Sequence, residues 1–146
     1  MNIREATITD LESLSVLFDK YRVFYGKESD QSAAKAFLKD RMERNDSVIF
    51  VADDGVLKGF TQLYPLFSSV RMKKLWLLND LFVDEQFRGQ GISIALIDSA
   101  KNLCRQTNAC GMYLETEKTN VIGNSLYLKT GFTLNDKRNF YDWSVS

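Results

Sequence analysis

The stretch Leu78-Asn79-Asp80-Leu81-Phe82-Val83-Asp84-Glu85-Gln86-Phe87-Arg88-Gly89-Gln90-Gly91-Ile92-Ser93, with the amphipathic run Ile94 to Arg105 behind it, decides how the rest of the chain is read. It reads as a buried strand, a short turn with two glycines one residue apart, and a helix. The first N–H groups of a helix have no partner inside it, and the aligned peptide dipoles leave partial positive charge there. A phosphate brought against that end is therefore bound by backbone alone. Gly89 and Gly91 let the phosphate approach the main chain, which a Cβ would obstruct. No Gly-Lys-Ser/Thr closes the turn, so it is not a P-loop, and the third glycine of a dinucleotide-binding turn is missing.

At 146 residues the chain suits one domain spanning 1–146, a size at which a core can be stable without disulfides or metal. Hydrophobic residues at 45% and charged residues at 26% are the proportions of a soluble globular protein. The formal net charge of zero argues against bulk attraction to nucleic acid or to an anionic membrane. No stretch approaches the ~20 apolar residues that span a bilayer. Met1-Asn2-Ile3-Arg4-Glu5 is not followed by a secretory apolar region, so a cytoplasmic location is the expectation. Cys104 and Cys110 form no CxxC pair and read as small buried or half-buried side chains, kept reduced. The chain contains no histidine. Ser-His-Asp and Cys-His nucleophiles and histidine zinc sites are thereby excluded, and acid–base work falls to carboxylates, tyrosine, lysine, cysteine, backbone or water.

Taken in order, Asn2 to Ala6 reads as a first strand, and Thr9-Asp10-Leu11-Glu12 matches a capping box. Leu11, Leu14, Leu17, Phe18, Tyr21, Phe24 and Tyr25 follow along one side of a helix that ends near Gly26. Phe24 reads as core, whereas Tyr21, Arg22 and Tyr25 sit beside a loop and are candidates to line an acceptor pocket, with core packing as the alternative. A second helix starts at Ser29 or Asp30 and is over by Asn45-Asp46. Ser47 to Ala52 and Val56 to Tyr64 form a hairpin around Asp53-Asp54-Gly55, and Pro65 is expected to end ladder pairing. The near-continuous apolar run Leu75 to Val83 is a strand covered on both faces, interrupted by Asn79 and Asp80. The helix after the glycines puts Ile92, Ala95, Leu96, Ser99 and Leu103 on one face. Met112 to Glu117 is the next strand, Asn120 to Thr130 a short helix stopped by Gly131, and Phe132 to Leu134 with Phe140 to Val145 a closing hairpin.

The spacing Gln86-x-x-Gly89-x-Gly91 after a hydrophobic strand resembles the pyrophosphate loop of the GNAT superfamily of acetyl-CoA-dependent N-acetyltransferases, Gln/Arg-x-x-Gly-x-Gly/Ala. A second stretch, Asn120-Val121-Ile122-Gly123-Asn124-Ser125-Leu126-Tyr127-Leu128-Lys129-Thr130-Gly131-Phe132, is similar to the other motif of that superfamily, with Gly123 where alanine is usual. The resemblance implies an α/β (α+β) fold with a central mixed, mostly antiparallel twisted sheet of about seven strands flanked by about four helices. The implied order is strand, two helices, three strands, helix, strand, helix and two strands. Within the superfamily, Leu78-Asn79-Asp80-Leu81-Phe82-Val83 is similar to the diamine and thialysine acetyltransferase branch, which shows Leu-Glu-Asp-Phe-Phe-Val there. Asn79 replaces that glutamate, while Asp80 is retained.

The implied activity is acetyl transfer from acetyl-CoA, as cosubstrate and without metal, to a primary amine by direct attack in a ternary complex. The expected acceptor is a small polyamine-like or amino-acid-like molecule. A protein lysine or N-terminal acetyltransferase and a non-catalytic CoA-binding module are the alternatives, and family analogy points to a homodimer. On the donor side the resemblance implies that Arg88, Gly89, Gln90, Gly91, Ile92 and Ser93 hold the diphosphate. The amides near Leu81, Phe82 and Val83 would bind the pantetheine arm like an added strand, with Asn120 and Gly123 completing that site. Asn120 could equally be a helix N-cap, and Arg88 a solvated charge. An alkylammonium with pKa near 10.4 costs about 4.6 kcal/mol to neutralise at pH 7, so the site needs a base. Asp80, Glu115 or a water ordered by them is the candidate, Asp80 first, with a buried carboxylate bonded to sheet-edge amides or an arginine as its alternative role, and Asn79 lies beside the acceptor. Tyr127, a phenol donor at neutral pH, matches the family's general acid for the departing thiolate, against an ordinary packing role.

Overall fold

The computed structural model describes residues 1–145, which fall into two compact units, residues 1–115 and the remainder from Thr116 onward. The first unit is a five-stranded sheet in which spatial order equals sequence order. Its strands are β1 (Asn2–Glu5), β2 (Val48–Asp53), β3 (Leu57–Ser68), β4 (Lys73–Val83) and β5 (Met112–Tyr113). Neighbours are antiparallel from β1 to β4, and β5 joins β4 in parallel, as a strand reached through a helical crossover must. The helices of this unit are α1 (Leu11–Phe24), α2 (Gln31–Arg44) and α3 (Ile92–Gln106), and the second unit carries α4 (Val121–Lys129).

Side-chain alternation along the strands supplies both faces of the sheet. Ile49, Val51, Phe60 and Phe82 pack with Leu14, Leu17, Phe18, Ala34 and Leu38 of α1 and α2. The other parity, Ala52 and Val83, packs with Ile92 and Leu96 of α3. On α3 the buried face runs through Ile92, Leu96, Ile97, Ala100 and Cys104. Ser99 and Leu103, expected on it, are half-buried, so the stripe is rotated slightly from the sequence reading.

The expected seven-strand sheet is corrected to five strands. Phe132 to Leu134 and Phe140 to Val145 alternate like strands, yet they pair with no edge among the described residues, and Phe140 and Trp143 are exposed. β-propensity records packing against neighbours rather than a backbone preference, so alternation alone does not make a strand. β5 likewise stops at Tyr113 instead of Glu117, pairing only through Trp76↔Met112 and Leu77↔Tyr113.

Pro65 does not end the β3–β4 ladder, which runs on to Ser68↔Lys73. The reason is that β2 leaves β3 at Val48↔Leu63, so Pro65 sits where β3 is already an edge and no N–H is needed on that side. The cap of α1 also moves. A short 3₁₀ turn, Ile8–Asp10, precedes the helix, and Asp10 accepts the Thr7 N–H at 2.8 Å, so the capping pair is Thr7 and Asp10 rather than Thr9 and Glu12.

Asp10 also accepts from Arg4 at 2.8 Å, and the same guanidinium reaches Asp53 at 3.0 Å, tying β1, the start of α1 and the end of β2 together. The Arg4 guanidinium holds the Asp10 carboxyl at about 2. A carboxylate so depressed contributes stability that is complete above the unfolded value, about 4, and is lost as pH falls through about 2. Urea unfolding of wild type and Asp10→Asn should therefore differ by a constant amount above about pH 5 and converge toward pH 2. A gap that ignores pH would contradict this account.

Candidate functional site

Residue pairing between β3 and β4 steps from Gln62↔Asp80 to Leu63↔Leu78, so Asn79 is one residue too many and forms a β-bulge. Leu78 thus shares the face of Leu63, while Asp80 is turned to the opposite face with Gln62 and Phe60, the face covered by α1. Asp80 is 4% exposed. Its Oδ2 accepts from Gln62 Nε2 at 2.7 Å, its Oδ1 accepts from Asn79 Nδ2 at 3.0 Å, and the Tyr21 hydroxyl bonds to it as well. Burial pushes the Asp80 carboxyl above the usual carboxylate range, and the three donors pull only part of the way back. Gln62 Oε1 accepts in turn from Ser47 Oγ at 2.8 Å. Nearby Tyr64 is pushed up to about 12 by burial and then by Asp80.

β5 engages β4 only as far as Leu77, so the far edge of β4 through Leu81, Phe82 and Val83 has no strand partner among the described residues. This open edge leads into the glycine turn. A 3₁₀ turn, Glu85–Phe87, is followed by Gly89 at φ 79° and Gly91 at φ 78°, both left-handed. That conformation favours glycine over any L-residue. A Cβ built on either would meet nothing within 4 Å, so the main chain lies open to a ligand on that side. The N–H groups of Gly89, Gln90, Gly91, Ile92 and Ser93 donate to no other backbone group among the described residues. Open, donor-rich backbone of this kind fits a diphosphate.

The turn is anchored to α1. Lys20 donates to Asp84 at 2.8 Å and holds that carboxyl below the usual range. Arg88 is turned away from the glycines: its Nε donates to the Val83 carbonyl at 3.0 Å, and its guanidinium lies over Phe24 and Phe82. Phe24, expected in the core, is 62% exposed because it forms this lip instead. Tyr21 is half-buried against Phe60 and Phe82, with Tyr25 edge-on to it at 5.1 Å. Arg22 is half-buried one residue on and acts on Asp19. Glu115 is exposed at the end of the first unit and is not among the side chains bonded to Asp80, which are Gln62, Tyr21 and Asn79. A separate surface cavity of about 260 Å³, lined by Glu5, Met42, Glu43, Asn45 and Ser47 among others, holds neither Asp80 nor the glycine turn.

In the second unit Asn120 caps α4, its Oδ1 accepting the Gly123 N–H at 3.0 Å while its Nδ2 donates to Thr116 Oγ1 at 2.9 Å. A Cβ added at Gly123 would crowd the Asn120 side-chain amide that accepts the Gly123 N–H. Tyr127 is half-buried on α4, edge-on to Phe132 at 5.8 Å.

Sequence reading missed Gln62, Ser47, Lys20 and Asp84. Gln62 had a visible signal, a polar residue in the apolar run Gly59 to Leu66 and on the parity of Phe60 and Tyr64. Lys20 and Asp84 had none, since their pairing spans 64 positions.

A family model described as the acetyltransferase (GNAT) family matches residues 14–132. An uncharacterized N-acetyltransferase from Bacillus subtilis is 45% identical over 133 residues, covering 90% of this chain and 89% of its own. A crystal structure of a probable acetyltransferase superposes with a TM-score of 0.95 at 38% identity, covering 100% of this chain and 99% of that one. A streptothricin acetyltransferase from Escherichia coli is 29% identical over 124 residues, 81% of this chain and 68% of its own.

A carboxyl raised by burial contributes stability that is complete below its unfolded value, about 4, and is lost as pH rises through its folded value. Asp80→Asn should therefore melt higher than wild type at about pH 7.5, with the gap closing below about pH 4. Equal melting temperatures at neutral pH would show that Asp80 is not held against the preference of its surroundings.

Proposed function

The chain belongs to the GNAT family of acetyltransferases, and on that premise we propose that it transfers the acetyl group of acetyl-CoA to the primary amine of a small acceptor. The observation that carries this reading is Asp80, buried on the α1 face beside Tyr21 and raised above the usual carboxylate range. An amine arriving as an ammonium must lose a proton before it can attack. A carboxylate whose neutral form is favoured by its surroundings is a better acceptor for that proton than one in water.

Acetyl-CoA, when bound, supplies a thioester carbonyl carbon to which the amine nitrogen bonds as the carbon–sulfur bond breaks. The chain's own residues do the rest. The N–H groups from Gly89 to Ser93 hold the diphosphate, and the open edge of β4 at Leu81, Phe82 and Val83 takes the pantetheine arm as a strand would. A free β4 amide polarises the carbonyl. Asp80 takes the amine proton. Tyr127 gives its phenolic proton to the departing sulfur, an assignment that rests on its place in the second motif.

Tyr21, Tyr25, Arg22 and Asn79, with Glu115 further along, form the acceptor side. Aromatic faces and a carboxylate suit an amine carried on a compact, partly apolar molecule. The relative named for streptothricin supports a small molecule over a protein. A polyamine-like or amino-acid-like amine remains the proposed class, acting on a single domain with a homodimer as its proposed state.

Thiol release from acetyl-CoA should be read across polyamines, amino acids, streptothricin-type antibiotics and a lysine peptide. The expected result is turnover with small amines and none with the peptide, and turnover with the peptide alone would replace this reading with protein acetylation. In the same assay Tyr127→Phe should lose about 10²–10⁴-fold in kcat with acetyl-CoA affinity nearly unchanged. Equal kcat would remove Tyr127 from proton donation.

A further inference from the structure

One buried polar contact in the first unit joins Asp80 to a residue outside both motifs. Gln62 is fully buried, faces Asp80 across the β3–β4 ladder and donates to Asp80 Oδ2 at 2.7 Å. A glutamine amide in that place has two ends, and which end meets the carboxylate matters: Nε2–H donates to it, whereas Oε1 would repel it. Ser47, just before β2, supplies the missing constraint by donating its hydroxyl to Oε1 at 2.8 Å, which leaves Nε2 directed at Asp80.

The two oxygens of Asp80 consequently differ. Oδ2 is committed to Gln62 on the interior side. Oδ1 instead accepts from Asn79 Nδ2 at 3.0 Å, and Asn79 sits on the bulge and is exposed. We propose that Gln62, locked by Ser47, is a positioning residue for Asp80, engaging Oδ2 so that Oδ1 is the atom that receives the proton of the incoming amine. This rests on the acetyl-transfer reading for the origin of that proton, but not for the ionisation of Asp80 itself. The transfer balances without any further reagent, since the proton leaves the ammonium nitrogen for Oδ1 and returns to solvent after product leaves.

Removing the Gln62 donor withdraws an interaction made with the charged carboxylate, so Asp80 should become harder to ionise. The other groups facing Asp80 are Tyr21 from α1, Asn79 from β4 and Tyr64 from β3. Arg41 of α2 and Asp46, paired with each other at 3.0 Å, act on Tyr64. Tyr64 is pushed up to about 12 and leaves the neutral range clear for Asp80.

The test is a pH titration of the Asp80 side-chain carboxyl carbon by ¹³C NMR, in wild type, Gln62→Leu, Ser47→Ala and Ser47→Thr, with the pH profile of thiol release recorded beside it. Gln62→Leu should move the Asp80 midpoint upward by about one pH unit or more. Ser47→Ala, which leaves Gln62 in place but unlocked, should move it by less, and Ser47→Thr, which keeps the hydroxyl, should restore the wild-type value. The acidic limb of kcat/KM should follow the same order. Should Gln62→Leu fail to fold, the two Ser47 variants decide the matter alone. A lowered melting temperature with an unmoved midpoint in the folded variants would overturn the proposal, leaving Gln62 a packing residue. A midpoint that moves while the limb stays would instead keep the Gln62–Asp80 coupling and overturn Asp80 as the base.

Discussion

The placement of Asp80 beside Gln62 and Tyr21 depends on one extra residue in β4. Because side chains alternate along a strand, a residue inserted without a partner reverses the parity of all that follow it. Asn79 is that residue, and its effect is to send Leu78 to the α3 face and Asp80 to the α1 face. A strand in perfect register would put Asp80 opposite Thr61 on the face of Leu63 and Leu78, away from Gln62 and Tyr21. The bulge instead delivers it to Gln62 and Tyr21. It also coincides with the point where β5 parts from β4, so the same irregularity accompanies an open strand edge.

A buried carboxylate is costly, and the fold tolerates this one because its surroundings are otherwise well packed. Leu14, Leu38, Val51 and Phe60 are fully buried on the same side of the sheet, and burying each such side chain is worth roughly 1.5–3 kcal/mol. Three hydrogen bonds then offset part of the desolvation without abolishing it. What remains is a group strained toward its neutral form, a condition suited to accepting a proton. Lys20 and Asp84 complement this arrangement by fastening the glycine turn to α1, the helix that also carries Tyr21. The glycine turn and the aromatic side chains of α1 therefore share one support.

Much of this is legible in the sequence. Gly89 and Gly91 mark a turn and a helix start bare of side chains, and the turn is there, with both glycines in the left-handed region. α1, α2 and α3 are readable from apolar spacing because each buries one stripe, and Asp80 stands out as a charge inside an apolar strand. The bulge was not readable, since parity has meaning only against a partner strand and the run from Leu75 to Val83 is apolar at nearly every position. Pro65 misled for a related reason: whether a missing N–H matters depends on where β2 ends. The closing hairpin misled because alternation of Phe140, Trp143 and their neighbours reports a capacity to pair, and pairing needs a second edge. Ser47 and Gln62 are adjacent only through the register of β2 and β3.

The most direct trial of the account is the pH dependence of kcat/KM for acetyl-CoA thiol release in wild type and Asp80→Asn, with the best small amine. Wild type should show an acidic limb set by a single group above the ordinary carboxylate range, and the variant should lose both that limb and about 10²-fold or more of its rate. A variant that keeps the limb and the rate would show that the proton leaves the amine by another route, and that the reversal of parity at Asn79 serves packing alone.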